Sequence, residues 1–405
     1  MGCDGVRHRG RRRSPEILEE RASPAVGIPD WPEQGSNRTS ENGCAAQPGI
    51  RPAADHGRSA AGTVQRPRRS EWKRCFFRPG VTSVWLIARV TSPGAAANGK
   101  GAVSESPREH QPVLLEQVLR LLDPRPGNVI LDGTVGLGGH AAAVIPRIAP
   151  GGRYFGLDLD EEMLAGARRR LASPSGVDLQ LVQANYAEFP GALARAGLTS
   201  VDRMLLDLGV NSAQLDDRSR GFSFDADGPL DMRFDQQQKQ RAVDLVNALP
   251  EAELADLFYH NAQEGASRKI AKRICQARHA GRITTTRALA RVVEAVQSSG
   301  ERRPGKTHPA TRVFQALRIA VNRELDNLKT FLSQVVDHLT PGGRVAVISF
   351  HSLEDGLVKS FLREAKAAGT LVELTRRPVI AEPRERAANP RSRSAKLRVA
   401  ERGSD

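Results

Sequence analysis

The amino-acid sequence predicts an α/β protein built on a doubly wound, mostly parallel sheet, with an all-helical domain inserted into it. Three observations support this prediction. Short apolar runs alternate with amphipathic segments between residues 129 and 208, which is typical of a parallel sheet. A glycine-rich turn follows the first of these runs. A stretch of loop and helix patterns from 212 to 310 then interrupts the alternation before further strands begin.

The first part of the predicted sheet domain, residues 106–213, contains four strands. Their predicted ranges are Val129–Leu131, Tyr154–Leu157, Leu179–Val182 and Arg203–Leu208. Apolar residues at helical spacing separate the first three strands, near 140–148 and 161–171. This order predicts strands that pair in parallel through crossover helices.

The predicted inserted domain, residues 214–310, shows only helical patterns. They cover Ala242–Ala248, Glu251–His260, Ser267–His279 and Thr286–Val296. The second part of the sheet domain, 311–405, begins with one long predicted helix from Thr311 to Leu339, whose apolar residues recur at helical spacing. Three more strands are predicted at Arg344–Phe350, Leu371–Leu374 and Ala395–Ala400.

The segment 1–105 differs from the rest in composition. It is rich in Arg, Pro, Gly, Ser and Ala, and residues 1–100 hold 17 Lys and Arg against 9 Asp and Glu. Such a segment buries too little apolar surface to offset its chain entropy. We expect it to be disordered, or to be a translated upstream region that precedes a true start near Val103.

Charge and cysteine content exclude some classes of protein. The net charge of +14 favours a polyanionic partner without identifying one. The four cysteines form no CxxC pair, so neither a disulfide framework nor a zinc site is indicated, and we expect no metal. No apolar run reaches the ~18–20 residues that a membrane helix needs, and no secretory signal is visible. These features predict a cytoplasmic protein.

The glycine-rich turn between the first strand and the first helix predicts a nucleoside cofactor. Its sequence is Leu131-Asp132-Gly133-Thr134-Val135-Gly136-Leu137-Gly138-Gly139-His140, and its glycines let a ligand approach the backbone. Asp158 ends the second strand, where a carboxylate can accept hydrogen bonds from both ribose hydroxyls. The turn satisfies the dinucleotide pattern GxGxxA but is closer to the loop that binds S-adenosylmethionine. The turn alone leaves both cofactors open.

Two further motifs place polar side chains at the same edge of the sheet. Asp207 ends the fourth strand, and Gly209, Val210 and Asn211 follow it, at the switch point where ligands bind in such sheets. His351 follows the fifth strand within Ser-Phe-His-Ser-Leu-Glu-Asp. A hydrolase triad is disfavoured, because the sequence has no Gly-x-Ser-x-Gly elbow. His351 is alternatively a capping or packing residue.

Clustered arginines predict contacts with phosphates. Arg312, Arg318 and Arg323 lie on or beside the long predicted helix, with Arg312 and Arg323 eleven residues apart on nearly the same face. Arg391 and Arg393 belong to a second cluster near the end of the chain. A solvated surface is the alternative for each of them.

Many ordered motifs together resemble one family. They are His110-Gln111-Pro112-Val113-Leu114-Leu115, the glycine-rich loop, Asp207-Leu208-Gly209-Val210, Gln214-Leu215-Asp216, Arg220-Gly221-Phe222-Ser223-Phe224, Gly228-Pro229-Leu230-Asp231-Met232-Arg233, His308-Pro309-Ala310-Thr311-Arg312-x-Phe314-Gln315-Ala316, Ser349-Phe350-His351-Ser352-Leu353-Glu354-Asp355 and Asn389-Pro390-Arg391-Ser392-Arg393-Ser394-Ala395-Lys396-Leu397-Arg398. From about 108 to 402 the chain resembles the RsmH/MraW family, bacterial cytosine-N4 methyltransferases of small-subunit ribosomal RNA.

The resemblance implies a Rossmann-like class I methyltransferase fold, S-adenosylmethionine as cofactor, and methylation of cytosine 1402 of 16S ribosomal RNA, which tunes the decoding centre. It implies cofactor contacts from Gly138, Gly139, His140, Asp158, Tyr186, Asp207 and Gln214. As catalytic residues we predict Asp207, Asn211 and His351, and as RNA contacts the five arginines named above. The expected partner is 16S ribosomal RNA or the small subunit, with a homodimer as one possible assembly.

Three departures and two alternatives accompany the resemblance. Asn211-Ser212-Ala213 stands where Ser-Ser-Pro is common. Tyr186 stands where Phe is usual and keeps the ring that could pack on adenine. Ala262-Gln263-Glu264-Gly265 replaces a usual Tyr-Gly-Glu-Glu, which leaves the role of that stretch in RNA docking open. An NAD-dependent dehydrogenase would share the loop and Asp158. A non-catalytic RNA-binding protein would need only the basic surface, and not Asp158 and Asp207 together.

Overall fold

The computed structural model describes residues 112–172, 176–297 and 308–404. The predicted extension, 1–105, and the first two residues of the motif at 110–115 lie outside the described residues. No described helix is both long enough and apolar enough to cross a membrane.

The described residues form one seven-stranded mixed sheet in the order β3-β2-β1-β4-β5-β7-β6. The strands are β1 (Val129–Asp132), β2 (Gly152–Asp158), β3 (Val177–Gln183), β4 (Val201–Asp207), β5 (Leu339–Ser349), β6 (Leu371–Glu373) and β7 (Lys396–Arg402). Strands β1 to β5 pair in parallel, while β7 runs antiparallel to both β5 and β6. The predicted doubly wound, mostly parallel fold is confirmed.

Thirteen α-helices are formed within the described ranges. They are α1 (Leu115–Leu122), α2 (Gly139–Ile148), α3 (Glu161–Arg170), α4 (Phe189–Arg195), α5 (Ser212–Asp216), α6 (Ala242–Ala248), α7 (Glu251–Ala262), α8 (Ser267–Ala280), α9 (Thr286–Gln297), α10 (Ala310–Asn322), α11 (Glu324–His338), α12 (Ser352–Ala367) and α13 (Pro383–Ala388). Short 3₁₀ helices cover Tyr186–Glu188, Arg218–Arg220 and Pro390–Arg393.

Helices cover both faces of the sheet because its apolar residues alternate in direction. Met204 and Leu206 of β4 pack in one core with α4, α11 and α12, whereas Leu205 packs on the opposite face in a core with α1. A third core joins α2 and α3 to the same face near β1 and β2. Burial on both faces explains the continuous apolar runs Val129–Leu131 in β1 and Met204–Leu206 in β4.

A separate apolar core holds the helical region. Helices α6 to α9 contribute large buried side chains, among them Phe258, Ile270 and Ile274, and α10 adds Phe314 and Leu317. The sequence analysis assigns α10 to the second part of the sheet domain. In the structure its apolar face belongs to the helical core, so α10 connects the two regions.

The prediction of a single long helix from Thr311 to Leu339 is wrong. The chain forms two helices there, α10 and α11, separated by a break at Arg323. Arg323 takes the left-handed conformation, with φ 51°. Asn322 just before it is buried and bonds outside the helix, accepting from the Phe234 amide and donating to the Met232 carbonyl at 2.8 Å each. The apolar spacing continues across the break and therefore gave no sign of it.

The break predicts a stability gain from glycine. A left-handed conformation costs an ordinary residue about 1–2 kcal/mol and costs glycine almost nothing. We expect Arg323→Gly to raise the free energy of unfolding in urea by roughly 0.5–1 kcal/mol, since glycine's extra chain entropy offsets part of the gain. Arg323→Ala removes the same side chain but keeps Cβ, and it should give no gain. Equal values for the two variants would contradict this account.

Candidate active site

A cleft opens at the carboxyl ends of the central strands. Strands β1 and β4 lie side by side where the order of the sheet reverses, and such a switch point leaves a crevice beyond the strand ends. Of the predicted site residues, those that line it are Gly139, His140, Asp158, Tyr186, Asp207, Asn211, Gln214, Arg318 and Arg391. Those that do not line it are Gly138, His351, Arg312, Arg323 and Arg393.

The glycine-rich loop presents bare backbone to the cleft. Gly136 and Gly138 take positive φ angles of 55° and 78°, and Gly138 is the residue from which α2 starts. A Cβ on Gly139 would lie 2.8 Å from Pro112 Cγ, so only glycine fits there. The loop thus turns tightly enough for a ligand to reach the first turn of α2.

Asp132 holds the base of this loop from below. Its side chain is buried, and it accepts hydrogen bonds from the Tyr154 hydroxyl at 2.5 Å and from the Thr134 amide at 3.0 Å. Burial raises the pKa of Asp132 to about 6. The Thr134 hydroxyl oxygen accepts from the Asp207 amide at 2.6 Å, so Asp132 and Thr134 fix the ends of β1 and β4 against each other.

Asp158 lies at the end of β2 with its carboxylate turned to the loop. One oxygen accepts from the Gly136 amide at 2.8 Å and the other from the Asp160 amide at 2.9 Å. Burial raises the pKa of Asp158 to about 7, against the lowering effect of these two amides. Each carboxylate oxygen keeps a further lone pair for a ligand donor.

Asp207 at the end of β4 faces His140 of α2. The His140 ring places Nε2 3.1 Å from the Val113 carbonyl oxygen, which can only accept, so Nε2 carries a hydrogen. Nδ1 lies 3.6 Å from Asp207 Oδ2. The other carboxyl oxygen of Asp207 is buried with no hydrogen-bond partner among the described residues, and burial raises the pKa of Asp207 to about 8.

The loop after Asp207 is held by a capping box. Asn211 accepts from the Gln214 amide at 3.0 Å, and the Gln214 side-chain oxygen accepts from the Asn211 amide at 3.1 Å. The Gln214 side-chain nitrogen donates to Asp160 Oδ2 at 2.8 Å. Both polar atoms of the Gln214 side chain are therefore engaged in holding this loop against α3. The side chain also borders the cleft. The Asn211 oxygen is likewise engaged, which leaves its NH₂ group for the cleft.

Asp160 is the buried centre of this support. Its Oδ1 caps α3 by accepting from the amides of Glu162 and Met163. Its Oδ2 also accepts from Arg220 Nη2 at 2.6 Å, and both side chains are 5% exposed or less. Arg220 donates onward to the carbonyls of Arg233 and Phe234. The loop that leads into the helical region is thereby tied to the strand end that carries Asp158.

Tyr186 closes one side of the cleft beneath the loop. Its ring meets Phe331 edge to face with centroids 5.9 Å apart, and its hydroxyl donates to the Glu324 carbonyl at 3.3 Å. Burial raises the pKa of Tyr186, so the phenol stays neutral. A Cβ on Gly133 would lie 2.9 Å from Tyr186 Cβ, so glycine at 133 makes room for the ring.

Arg318 lies inside the cleft wall rather than on the outer surface. Its Nε and Nη2 each lie 2.8 Å from a carboxylate oxygen of Glu324. In an unbroken helix residues six apart would face different directions, so this pair depends on the break at Arg323. The pairing gives Arg318 a partner within the protein, and its predicted contact with RNA stays a prediction.

His351 is the N-cap of α12. Its Nδ1 accepts from the Glu354 amide at 3.4 Å, and its Nε2 lies 3.1 Å from Glu354 Oε1. The neighbours Phe350 and Glu354 line the cleft. These contacts are those of the capping residue that the sequence analysis gives as the alternative. The catalytic role of His351 stays a prediction.

Glu324, His351 and Glu354 offer ligand atoms that all lie within 4.8 Å of one another, close enough to hold a metal ion. Arg318 already places a fixed positive charge beside Glu324. Burial raises the pKa of Glu354, but the neighbouring His351 and Arg318 together bring it below its usual value. The Arg318 guanidinium therefore already supplies a positive charge next to these carboxylates.

The remaining predicted RNA contacts divide into two groups. Arg391 borders the cleft, and burial lowers its pKa despite the nearby Asp216 and Asp207 carboxylates. Arg312, Arg323 and Arg393 are exposed and lie away from the cleft lining. A polyanion can reach these three only from outside the cleft.

Comparison with known proteins decides the family. The profile of the MraW methylase family matches residues 107–403. The chain belongs to the MraW methylase family. It is 46% identical over 309 residues to a Nitratidesulfovibrio vulgaris protein named ribosomal RNA small subunit methyltransferase H. The aligned region covers 72% of this chain and 85% of that protein. Proteins of the same name from a Cyanothece species and Sorangium cellulosum are 48% and 47% identical, covering 72% and 73% of this chain and 94% and 91% of theirs.

In this MraW methylase, Gln263 takes a backbone conformation that favours glycine. It ends α7 with φ 51°. Its side-chain oxygen lies 3.2 Å from the Ser352 hydroxyl, and its carbonyl accepts from Arg312 Nη1 at 3.3 Å. Glu264 is buried and accepts from the Ala266 amide at 2.8 Å. Gln263 thus makes a polar contact between the helical region and the start of α12.

Proposed function

We propose that this MraW methylase transfers a methyl group from S-adenosylmethionine to the exocyclic N4 of cytosine 1402 in 16S ribosomal RNA, in the cytoplasm. The observation that carries the proposal is the pairing of Asp158 and Asp207 at the ends of β2 and β4, on opposite sides of one glycine-lined cleft. A nucleoside cofactor needs the first carboxylate, and an amine substrate needs the second.

The residues of the cleft fit the proposed cofactor. Asp158 keeps free lone pairs for two ribose hydroxyls, the backbone of Gly136 to Gly139 leaves room for the sulfur side, and Tyr186 offers a ring edge for adenine. The bound cofactor would supply a methyl group on a positively charged sulfur.

Asp207 is the residue we assign to the amine. The lone pair of a cytosine amine is delocalised into the ring, so it attacks only when held in line and polarised by an acceptor. Asp207 can accept one N–H hydrogen bond in its ionised form, and it takes the proton that the nitrogen loses as the new N–C bond forms. His140 Nδ1 lies 3.6 Å from this carboxyl group.

Asn211 and His351 take supporting roles in this proposal. The Asn211 oxygen is engaged by the Gln214 amide, so its NH₂ group is the part that can contact the base, as a donor. His351 sets the position of Glu354 and through it the floor of the cleft. If Asn211→Ala leaves cofactor binding and turnover unchanged, the loop at 211–214 has no part in the reaction.

The substrate proposal follows from the named relatives and from the charge of the molecule. The relatives carry the name ribosomal RNA small subunit methyltransferase H, and the chain carries a net charge of +14, which suits an RNA partner. The target cytosine lies in RNA and must leave its stack to enter a cleft of this kind.

The test is transfer of labelled methyl from S-adenosylmethionine to small ribosomal subunits from cells that lack the enzyme. Mass analysis of the digested RNA should show N4-methylated cytosine at one position. Parallel reactions use naked 16S ribosomal RNA and, as a negative control, large subunits. Tight cofactor binding without methyl transfer to subunits or to naked RNA would contradict the proposed RNA substrate. Methylation of another base atom would contradict the N4 assignment.

Cofactor affinity should depend on pH through Asp158. Its pKa of about 7 means that acidification protonates the carboxylate and removes an acceptor for the ribose. If only the ionised form binds, the Kd for S-adenosylhomocysteine rises about tenfold between pH 8 and pH 6. Calorimetry of the wild type and of Asp158→Asn measures this, because the Asn variant should bind weakly with no such dependence. Parallel curves for both proteins would refute the role of Asp158.

A further inference from the structure

We propose that the exposed face of α8 binds the phosphates of a single-stranded RNA segment that leads to the cleft. This α8 face consists of Arg268, Lys269, Lys272 and Arg273. The inference rests on the proposed function, and it assigns the path of the substrate outside the cleft. None of these residues belongs to the basic clusters identified in the sequence.

The α8 face has one sign of charge. The helix sequence SRKIAKRICQARHA holds five Lys and Arg residues and no Asp or Glu. All four residues of the face are exposed, whereas Ile270, Ala271 and Ile274 on the other side are buried in the helical core. A helix face that served only solubility would mix acidic with basic residues at salt-bridge spacing. An uncompensated face repels itself and is explained by an anionic partner.

Neighbouring acids do not neutralise this face. Arg268 lies 3.5 Å from Asp256 of α7, and both side chains are more than half exposed. Lys269, Lys272 and Arg273 form no ion pair with any residue in the part of the chain that the structure describes. Three cations within five residues of one helix, none of them in an ion pair with a described residue, can contact neighbouring phosphates of a nucleic-acid backbone.

The turn that precedes α8 contacts the start of α12, close in sequence to residues that line the cleft. The turn before α8 contains Gln263, whose side-chain oxygen lies 3.2 Å from the Ser352 hydroxyl at the start of α12. Phe350, two residues before Ser352, lines the cleft. From this point α8 runs for 14 residues, which is about 21 Å at 1.5 Å per residue. RNA that enters the cleft with one base can therefore continue along α8.

Tyr259 adds an aromatic surface next to the basic one. It is 57% exposed, the largest exposed fraction among the large apolar side chains described. It lies one turn after Asp256 on the exposed face of α7, and Asp256 contacts Arg268, so the two surfaces are continuous. An unstacked base can pack on an exposed tyrosine ring, which favours single-stranded over duplex RNA.

The test compares two triple variants that lose the same charge. Lys269→Gln, Lys272→Gln and Arg273→Gln remove the α8 face, and Arg195→Gln, Lys359→Gln and Arg363→Gln remove exposed cations on α4 and α12. Binding of a single-stranded oligoribonucleotide carrying the target cytosine is measured between 50 and 200 mM salt. With about 0.7 counterions released per phosphate contact, the α8 variant should lower the salt slope by about 2. The control variant should leave it unchanged.

Kinetics supply the second readout. The α8 variant should raise KM for the RNA substrate by about 10-fold or more at low salt and leave kcat and cofactor Kd unchanged. Tyr259→Ala should raise the oligoribonucleotide Kd, and Tyr259→Phe should restore it because the ring is kept. An unaffected Kd in Tyr259→Ala would remove the aromatic part of the proposal.

Failure of this inference is distinct from failure of the proposed function. If the wild type methylates RNA and the two triple variants have the same KM and salt slope, the α8 face is not the RNA path. If the wild type transfers no methyl group to RNA, the proposed substrate is wrong, and the oligoribonucleotide binding assay still decides the α8 face. Equal losses in both triple variants would show a general charge effect and overturn the assignment.

Discussion

Asp207→Asn is expected to lower kcat for methyl transfer by about 10²–10⁴-fold, the usual effect of removing a positioned proton acceptor. The asparagine keeps the shape of the side chain and one hydrogen-bond acceptor but takes up no proton. Because Asp207 lies at the end of β4 beside His140 Nδ1, and not in the loop contacted by Asp158, the variant should still bind cofactor. Calorimetry and single-turnover kinetics on the same protein preparation measure the two effects separately.

The assignment of Asp207 also predicts that the rate of methyl transfer rises with pH. Burial raises the pKa of Asp207 to about 8, so the carboxyl is largely protonated below that pH and cannot accept the amine proton. The single-turnover rate of the wild type should rise about tenfold per pH unit below pH 8 and level off above it. The residual rate of Asp207→Asn should show no such rise.

Asp158→Asn is the matched comparison for Asp207→Asn. Both substitutions replace a carboxylate at a strand end by its amide, and they differ only in the side of the cleft. The first should change the cofactor Kd and the second kcat. Loss of cofactor binding in Asp207→Asn would instead assign Asp207 to the cofactor, as the family resemblance also allows, and full turnover would exclude it from the reaction.

The sheet and the strand-end carboxylates were predictable because each leaves a local trace in the sequence. Strand β4 contains the apolar run Met204–Leu206 directly before Asp207, and the glycine-rich turn follows β1 at once. Parallel strands bring their carboxyl ends to one edge, so Asp158 and Asp207 were placed near one cleft before any contact was known. These predictions need only periodicity and topology.

The supports of the site were not predictable in the same way. Asp160 before Glu161 carries an N-cap signal, yet nothing local shows that its second oxygen meets Gln214 and Arg220, 54 and 60 residues away. The break at Arg323 is hidden because Asn322 finds its partners in the loop at 232–234. On one long predicted helix, Arg318 was a candidate phosphate contact with no sign of a partner in the protein, whereas it pairs with Glu324 in the cleft wall.

The buried Arg220–Asp160 pair predicts the largest effect on stability. Both side chains are 5% exposed or less and lie 2.6 Å apart, and removing one partner of such a pair costs about 3–5 kcal/mol because the other charge stays buried. Arg220→Met should lower the free energy of unfolding in urea by that amount. Arg241→Met is the control, since Arg241 and Asp244 are exposed at 47% and 36% and surface pairs of this kind contribute about 0–1 kcal/mol.

A double variant separates the charge from the packing. Asp160→Asn removes the negative charge that Arg220→Met would leave unpaired, and its amide can still accept from the N-terminal amides of α3. If the buried charge causes the loss, adding Asp160→Asn to Arg220→Met restores part of the stability, although each change alone destabilises. Additive losses would assign the effect to packing instead. Because Arg220 also holds the carbonyls of Arg233 and Phe234, a restored double variant that still methylates slowly would show that Arg220 positions the loop at the cleft as well as stabilising the fold.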